Sequence, residues 1–281
     1  MSISALMIEW MSRLNKKDII GPGMDMLELG PQDISTTRSV VRNVAARHVT
    51  SVEAAVHRIF PQPDSDQPAK GSQEFFYSLF GLAPYSSADY FDPKARFRLD
   101  LNRPCQALQQ FQVVTNFGTS EHIFNVGQSF ANTHEFLADN GVALFVLPTF
   151  GHIDHGFYNI HPTLYQDMAL ANNYTIEDFL YIDNFGVRSR LLEKGGATPF
   201  DFDALPIKLK KQRTKKAYEE ECALTREVTF RFVENFCDPL TKEHGWEFPP
   251  IIFDYCFVAM RKLPDPKRKG FVIPAQGIYY T

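Results

Sequence analysis

Short apolar strands alternate with amphipathic helices along the first two thirds of this 281-residue chain. The apolar runs predict strands at residues 24–29, 86–90, 97–101, 111–116, 142–148, 174–185 and 254–261. Apolar residues at helical spacing predict helices at residues 3–14, 36–59, 73–80, 126–138 and 164–172. Strands separated by helices form right-handed βαβ units. The pattern therefore predicts an α/β fold with a mostly parallel central sheet and helices on both faces.

The whole chain, residues 1–281, is expected to form a single domain, because this length suits one large α/β unit. In chain order we expect an N-terminal helix, a core, a helical insertion that caps the site, and C-terminal strands. These parts correspond to residues 1–23, 24–185, 186–250 and 251–281. No internal repeat suggests a solenoid or an array.

Composition and charge exclude several classes of function. The formal net charge of −4 provides no overall basic field for nucleic acid. No segment approaches the roughly 20 apolar residues that cross a bilayer, and the N-terminal segment lacks the apolar run of a signal peptide. The four cysteines form no CxxC pair. We expect a cytoplasmic protein without nucleic-acid or membrane partners, with a homodimer possible.

A glycine turn follows the first strand, in the order Glu28, Leu29, Gly30 and Pro31. Ligands of open α/β sheets bind beyond the carboxyl ends of the strands, and glycine lets the backbone approach a ligand. The alternative is a strand followed by an ordinary tight turn. Without a GxGxxG sequence, a pyrophosphate cradle for a dinucleotide is poorly supported.

Acidic residues follow the next two predicted strands. Asp89 lies at the end of the second and Asp100 at the end of the third. An ionised carboxylate offers two acceptor oxygens, which suits vicinal ribose hydroxyls for Asp89 and an adenine amino group for Asp100. Either residue alone is more often a capping or turn aspartate.

The fourth strand leads into a polar loop. Asn116 and Phe117 end the strand, Gly118 provides a turn, and Glu121 and His122 lie at the rim of the same crevice. In the alternative interpretation, the hydroxyl residues of the loop cap the next helix and Glu121 lies in its first turn.

Three histidines follow the fifth strand within a short loop. His152, His155 and His161 share this loop with Asp154 and Tyr158. Histidine titrates near neutrality and suits general-base work. Three histidines with Asp154 could also bind a metal, but their spacing matches no zinc signature, so no metal is assigned. A structural loop with hydrogen-bonded histidines is the third interpretation.

These segments, taken in order, resemble bacterial class I S-adenosylmethionine (SAM)-dependent methyltransferases. The nearest subgroup carries a GTxEH loop and an HGFYxFxPT stretch, which correspond to residues 118–122 (GTSEH) and 155–163 (HGFYNIHPT). The resemblance covers residues 24–185. The chain departs from the subgroup after Gly30, where relatives have a fuller glycine-rich run, and at Asn116, where relatives usually carry an acidic residue.

The resemblance implies a Rossmann-like class I methyltransferase fold with SAM as cofactor and S-adenosylhomocysteine (SAH) as product. It also implies which residues contact the cofactor, from its methionine end to its adenine. They are Glu28, Gly30, Pro31, Asp89, Tyr90, Asp100, Leu101, Asn116, Phe117, Gly118, Glu121 and His122.

The implied activity is methyl transfer to a small-molecule acceptor in the biosynthesis of a secondary metabolite or a sugar-containing product. A neutral acceptor needs a base, for which His155 is the first candidate and His152 and His161 the next. Tyr158 would orient the acceptor. Three alternatives stay open: a SAM-fold protein without methyl transfer, a metal-dependent hydrolase or isomerase using the histidine loop, and a nicotinamide-dependent enzyme.

Overall fold

The computed structural model describes residues 3–34, 36–61, 72–106, 109–151, 155–183, 253–266 and 270–275. Its helices are α1 (Ala5–Lys16), α2 (Arg38–Ala45), α3 (Val52–Ile59), α4 (Gln73–Ser78), α5 (Val126–Phe136) and α6 (Thr163–Asn172). Its strands are β1 (Met26–Leu29), β2 (Tyr85–Asp89), β3 (Phe97–Arg98), β4 (Phe111–Phe117), β5 (Leu137–Gly151), β6 (Tyr174–Asp183) and β7 (Phe253–Lys262). The predicted helical insertion at residues 186–250 lies outside the described residues.

The strands form a seven-stranded sheet in the order β3-β2-β1-β4-β5-β7-β6. Strands β1 to β5 pair in parallel, and β7 runs antiparallel to both β5 and β6. The order reverses between β1 and β4, so the chain is doubly wound about that point. This topology confirms the expected Rossmann-like α/β fold. In the part of the chain that is described, no helix is long and apolar enough to cross a membrane.

Helices cover both faces of the sheet, as predicted. Met26 and Val113 face one side, where they join a core with the apolar residues of α1 to α4. Their neighbours Leu27 and Val114 face the other side and pack with α5 and α6. Successive side chains of a strand point to opposite faces, so a parallel sheet between two helical layers needs apolar residues at consecutive positions.

The single helix predicted at residues 36–59 is in fact two helices, α2 and α3, joined by a turn. Arg47 in that turn binds the carboxylate of Glu9 in α1 at 2.6 Å. The ring of His48 shares a hydrogen bond of 2.7 Å with the Ser12 hydroxyl, also in α1. These polar contacts fix the turn against α1, which apolar spacing alone did not reveal.

Strands β5 and β3 differ most in length from the prediction. Strand β5 begins at Leu137, so the turn predicted at residues 139–141 lies inside it, with Asn140 in the left-handed region at a φ of 63°. Strand β3 ends at Arg98, because Asp100 turns the chain by accepting a hydrogen bond from the backbone N–H of Asn102 at 3.0 Å. Asp100 therefore lies two residues beyond its strand.

Candidate active site at the carboxyl edge of the sheet

The carboxyl ends of β1, β2 and β4 meet at one edge of the sheet, beside the point where the strand order reverses. Leu29 of β1 pairs with Ala88 of β2 on one side and with Asn116 of β4 on the other. The N–H of Gly30 extends this contact by donating to the carbonyl of Ala88 at 2.9 Å. The crevice at such a place is where open α/β sheets bind their ligands.

The loops after β1 and β4 touch directly through glycine. Gly30 and Gly118 both have a φ of 67°, a conformation that favours glycine. A Cβ on Gly30 would lie 2.3 Å from Oγ1 of Thr119, and that hydroxyl donates to the carbonyl of Leu29 at 2.7 Å. Half-buried Pro31 continues the first loop. The glycine turn therefore lets the β4 loop close against the end of β1.

Asp89 is the last residue of β2, and only one oxygen of its carboxylate accepts hydrogen bonds from the described residues. Its Oδ1 accepts hydrogen bonds from the N–H groups of Phe91 at 2.6 Å and Asp92 at 2.8 Å. Its Oδ2 accepts none from the described residues. The neighbouring ring of Tyr90 is 55% exposed. The backbone thus orients a half-buried carboxylate whose second oxygen can accept hydroxyl groups of a ligand.

Asp100 is engaged mainly with its own turn. Its Oδ1 accepts from both the backbone and the side chain of Asn102 at 3.0 Å, and Arg103 lies 3.4 Å from Oδ2. The hydrogen bonds from Asn102 lower the pKa of this carboxyl below its usual value. Leu101 is buried in the core beneath the turn. Contact of Asp100 and Leu101 with adenine stays a prediction.

Glu28 points into the protein core. Its carboxyl accepts hydrogen bonds from the hydroxyls of Tyr77 at 2.8 Å and Tyr85 at 2.6 Å, and from the N–H of Gln32 at 3.3 Å. Complete burial raises the pKa of Glu28 to about 7. Glu28 therefore ties the first loop to α4 and β2, and its predicted contact with a cofactor stays untested.

Asn116 and Phe117 are also buried, so they support the loop after β4 from within the protein. The side chain of Asn116 donates to Oγ of Ser120 at 2.6 Å, and that hydroxyl bonds with Ser129 of α5 at 2.7 Å. Phe117 packs near Trp10 of α1, with ring centroids 6.4 Å apart. The loop hydroxyls thus fold the loop instead of capping α5, which begins with Asn125 as its cap.

Glu121, His122 and His155 come together at this edge from two loops, and we name them the carboxylate–imidazole cluster. Oε1 of Glu121 lies 3.9 Å from Nε2 of His122 and 3.9 Å from Nε2 of His155. The two imidazole rings are 4.8 Å apart between centroids. The sequence predicted each residue at the crevice but did not predict that the three would meet.

The loop after β5 is fixed to the loop after β4 at Glu121. The N–H of Phe157 donates to the carbonyl of Glu121 at 2.7 Å. Gly156, with a φ of 70°, allows this approach, because a Cβ there would lie 3.0 Å from the same carbonyl oxygen. The two residues after His155 therefore hold it beside Glu121.

The carboxyl of Glu121 is completely buried, and neither of its oxygens accepts a hydrogen bond from the described residues. Burial raises the pKa of Glu121 to about 7. Burial also lowers the pKa of His122 and of His155, which favours neutral imidazoles. The cluster thus combines a poorly solvated carboxyl with two uncharged ring nitrogens.

Two further candidates from the histidine loop, Tyr158 and His161, form hydrogen bonds with residues outside the cluster. The hydroxyl of Tyr158 donates to the carbonyl of Phe124 at 2.8 Å, which connects the two loops. Nδ1 of His161 is 2.9 Å from the hydroxyl of Thr163 at the start of α6. His152 lies outside the described residues.

Sequence reasoning missed two tyrosines near Glu121. Tyr165 in α6 is completely buried, and Tyr255 lies on β7. Burial raises the pKa of both hydroxyls, and the Glu121 carboxylate raises each pKa further. Both residues resemble ordinary core positions in the sequence, so no local signal could have identified them.

Comparison with known proteins gives similarities only among solved structures. No protein-family model and no curated protein sequence matches the chain. A candidate methyltransferase from Bacillus halodurans is 9% identical, with 90% of this chain and 99% of that chain covered and a TM-score of 0.43. The 1,6-didemethyltoxoflavin-N1-methyltransferase of Burkholderia thailandensis, solved with 1,6-didemethyltoxoflavin and SAH, is 11% identical, with coverages of 92% and 78% and a TM-score of 0.40. A SAM-dependent methyltransferase from Geobacter sulfurreducens, solved with SAH, is 12% identical, with both coverages 90% and a TM-score of 0.37.

Proposed function

We propose that this chain is a SAM-dependent methyltransferase that acts on a small-molecule acceptor. One observation carries the proposal: the ends of three adjacent parallel strands at the switch point bear Gly30, Asp89 and Gly118, and the carboxylate–imidazole cluster borders the same edge. A nucleoside ligand and a reacting group therefore have neighbouring places at a single crevice.

The residues present at this edge fit the nucleoside part of SAM. Asp89 offers Oδ2 to ribose hydroxyls while backbone N–H groups hold Oδ1 in place. The exposed ring of Tyr90 follows it and provides a flat apolar surface. Gly30 and Gly118 present backbone without a side chain. Bound SAM supplies an electrophilic methyl group on its sulfonium.

The acceptor is proposed to lie against the carboxylate–imidazole cluster. His122 and His155 have side chains 43% and 35% exposed, so a small molecule can reach both rings. Proton removal from a neutral acceptor is proposed to depend on His155, with Tyr158 orienting the acceptor. The resemblance of the histidine loop supports a role in the biosynthesis of a secondary metabolite or sugar-containing product.

Calorimetry with SAH tests the cofactor site directly. The Asp89→Asn variant keeps an oxygen for the two backbone N–H groups but replaces the carboxylate, so we expect its Kd for SAH to rise about tenfold or more. Asp92→Asn is the matched control, because Asp92 also accepts a backbone hydrogen bond, from Lys94 at 2.8 Å, one turn further on. Absence of binding to the unaltered protein at millimolar SAH would contradict the proposal.

A further inference from the structure

We propose that the carboxylate–imidazole cluster binds one divalent transition-metal ion through Glu121, His122 and His155. The three residues offer one ligand atom each, and these atoms all lie within 4.8 Å of one another. Two imidazoles and one carboxylate form a ligand set that suits zinc, iron, manganese or cobalt better than calcium or magnesium, which prefer oxygen alone.

The buried carboxyl of Glu121 is the strongest indication of a missing partner. Its side chain is completely inaccessible, and both oxygens lack hydrogen-bond donors among the described residues. Removing an ionised carboxylate from water without a partner carries a large free-energy cost. A cation between Glu121 and the two rings supplies that partner at Oε1, which lies 3.9 Å from Nε2 of each imidazole.

The three ligand atoms, which lie within 4.8 Å of one another, must move closer together to coordinate an ion. Oε1 of Glu121 lies 3.9 Å from each Nε2. Ligands about 2.0–2.2 Å from a tetrahedral ion are about 3.3 Å apart, a difference that side-chain rotation covers. The backbone of the site is already held, because Phe157 donates to the carbonyl of Glu121 at 2.7 Å.

The cluster has the form of a reactive metal site. Three protein ligands leave coordination positions free, as in catalytic zinc sites, whereas structural sites are closed by four. Both imidazole side chains are partly exposed, whereas Nε2 of His155 and the two Glu121 oxygens are buried. A metal held there would lower the pKa of the oxygen of a bound water or acceptor, which would release its proton to solvent water. On this inference His155 contributes as a ligand instead of taking the proton itself.

This site differs from the metal site that the sequence suggested as an alternative. That alternative used the histidine loop alone, including His161, whose ring nitrogen is 2.9 Å from the hydroxyl of Thr163. The structure instead takes two ligands from the loop after β4 and one from the loop after β5. His161 therefore serves as a control residue from the same loop as His155.

Titration of the whole 281-residue chain with Co²⁺, after removal of metals by a chelator, tests the site without SAM. We expect one Co²⁺ per chain, with visible absorption bands typical of Co²⁺ in a site of low symmetry. We also expect Zn²⁺ to displace Co²⁺. His122→Ala and His155→Ala should each weaken Co²⁺ binding by at least about tenfold, since each removes one of three ligands. His161→Ala should bind Co²⁺ as the unaltered protein does.

Glu121→Gln provides a further variant, since glutamine keeps the shape but loses the charge, and we expect it to weaken Co²⁺ binding at least as much. Circular dichroism of each variant checks that the fold is retained. The inference is overturned if the unaltered protein binds no Co²⁺ in a one-to-one ratio, or if His161→Ala weakens binding as much as His155→Ala. Calorimetry with SAH, done before and after chelation, separates this result from the proposed methyl transfer.

Discussion

Gly30 and Gly156 determine how closely the loops approach one another at the carboxyl edge of the sheet. Each has a positive φ, and a Cβ on either would press on the loop after β4, at Thr119 or at Glu121. The glycines act through space and conformation together, because left-handed backbone is strained for other residues. Single residues thus fix the distances on which the site depends.

Replacing Gly30 by alanine should lower the free energy of unfolding by about 3 kcal/mol. The positive φ is strained for alanine, and its Cβ would clash with Oγ1 of Thr119. Gly127→Ala is the matched control. A Cβ at Gly127 in α5 meets nothing within 4 Å, so that variant should gain about 0.5–1 kcal/mol from helix propensity. Urea denaturation measures both, and equal stability of Gly30→Ala and the unaltered protein would contradict the argument.

The sequence identified the cluster residues singly, since Glu121, His122 and His155 are polar residues directly after buried strands. Their meeting was not predictable, because it depends on how two loops far apart in the chain pack. Gly156 is the only local sign, and its meaning requires the position of the Glu121 carbonyl, 3.0 Å from the site of a Cβ. Local pattern therefore locates such residues at an edge but not their mutual distances.

At the scale of elements, strands were predicted more reliably than the breaks between helices. Strands β1, β4 and β5 are apolar at consecutive positions because both faces are covered, which is a strong signal. The break between α2 and α3 depends on the contacts of Arg47 and His48 with α1. Two polar residues in a helical pattern do not by themselves predict that the helix ends there. Tertiary contacts thus decided the helix boundaries.

Helix α1 is attached to the sheet through Asp178 of β6. Its carboxylate accepts from Nε1 of Trp10 at 3.1 Å and from Nε of Arg13 at 3.1 Å, and Lys17 lies 3.3 Å away. The side chain of Asp178 is only 7% exposed. One buried acceptor therefore serves three donors on successive turns of the helix.

Asp178→Ala should lower the free energy of unfolding by about 3 kcal/mol, because it leaves buried donors of α1 without their acceptor. The exposed pair of Arg42 with Glu53, at 2.7 Å, provides the comparison, since the Glu53 side chain is 72% exposed. Glu53→Ala should cost less than about 1 kcal/mol. Thermal and urea denaturation would reject the argument if the two substitutions had equal effects.

At the scale of the whole molecule, the sheet separates two apolar cores, and β1 is an interior strand between β2 and β4. Glu28 is the acidic residue of that interior strand, and it faces the core formed with α1 to α4. The groups that face it are the hydroxyls of Tyr77 from α4 and Tyr85 from β2 and the N–H of Gln32. A proton on Glu28 therefore influences the stability of the fold at its centre.

The sign of this influence follows from the pKa of Glu28, which folding raises from 4.5 to about 7. Between these values the folded protein binds more protons than the unfolded chain, so stability falls as pH rises. The contribution of Glu28 is complete below pH 4.5 and is lost as pH rises through about 7. A shift of this size corresponds to roughly 3 kcal/mol.

Glu28→Gln should remove this dependence, because glutamine stays neutral while its side chain can still bond with the two tyrosine hydroxyls. Urea denaturation of both proteins at a series of pH values measures it. The difference in unfolding free energy between variant and unaltered protein should shift in favour of the variant by roughly 3 kcal/mol as pH rises from acid to pH 8. Glu121 is present in both proteins, so its own contribution cancels in this difference. Glu74→Gln, at an exposed position of the same helix as Tyr77, should follow the unaltered protein at every pH. Parallel profiles for Glu28→Gln and the unaltered protein would show that folding leaves the pKa of Glu28 at its ordinary value of 4.5.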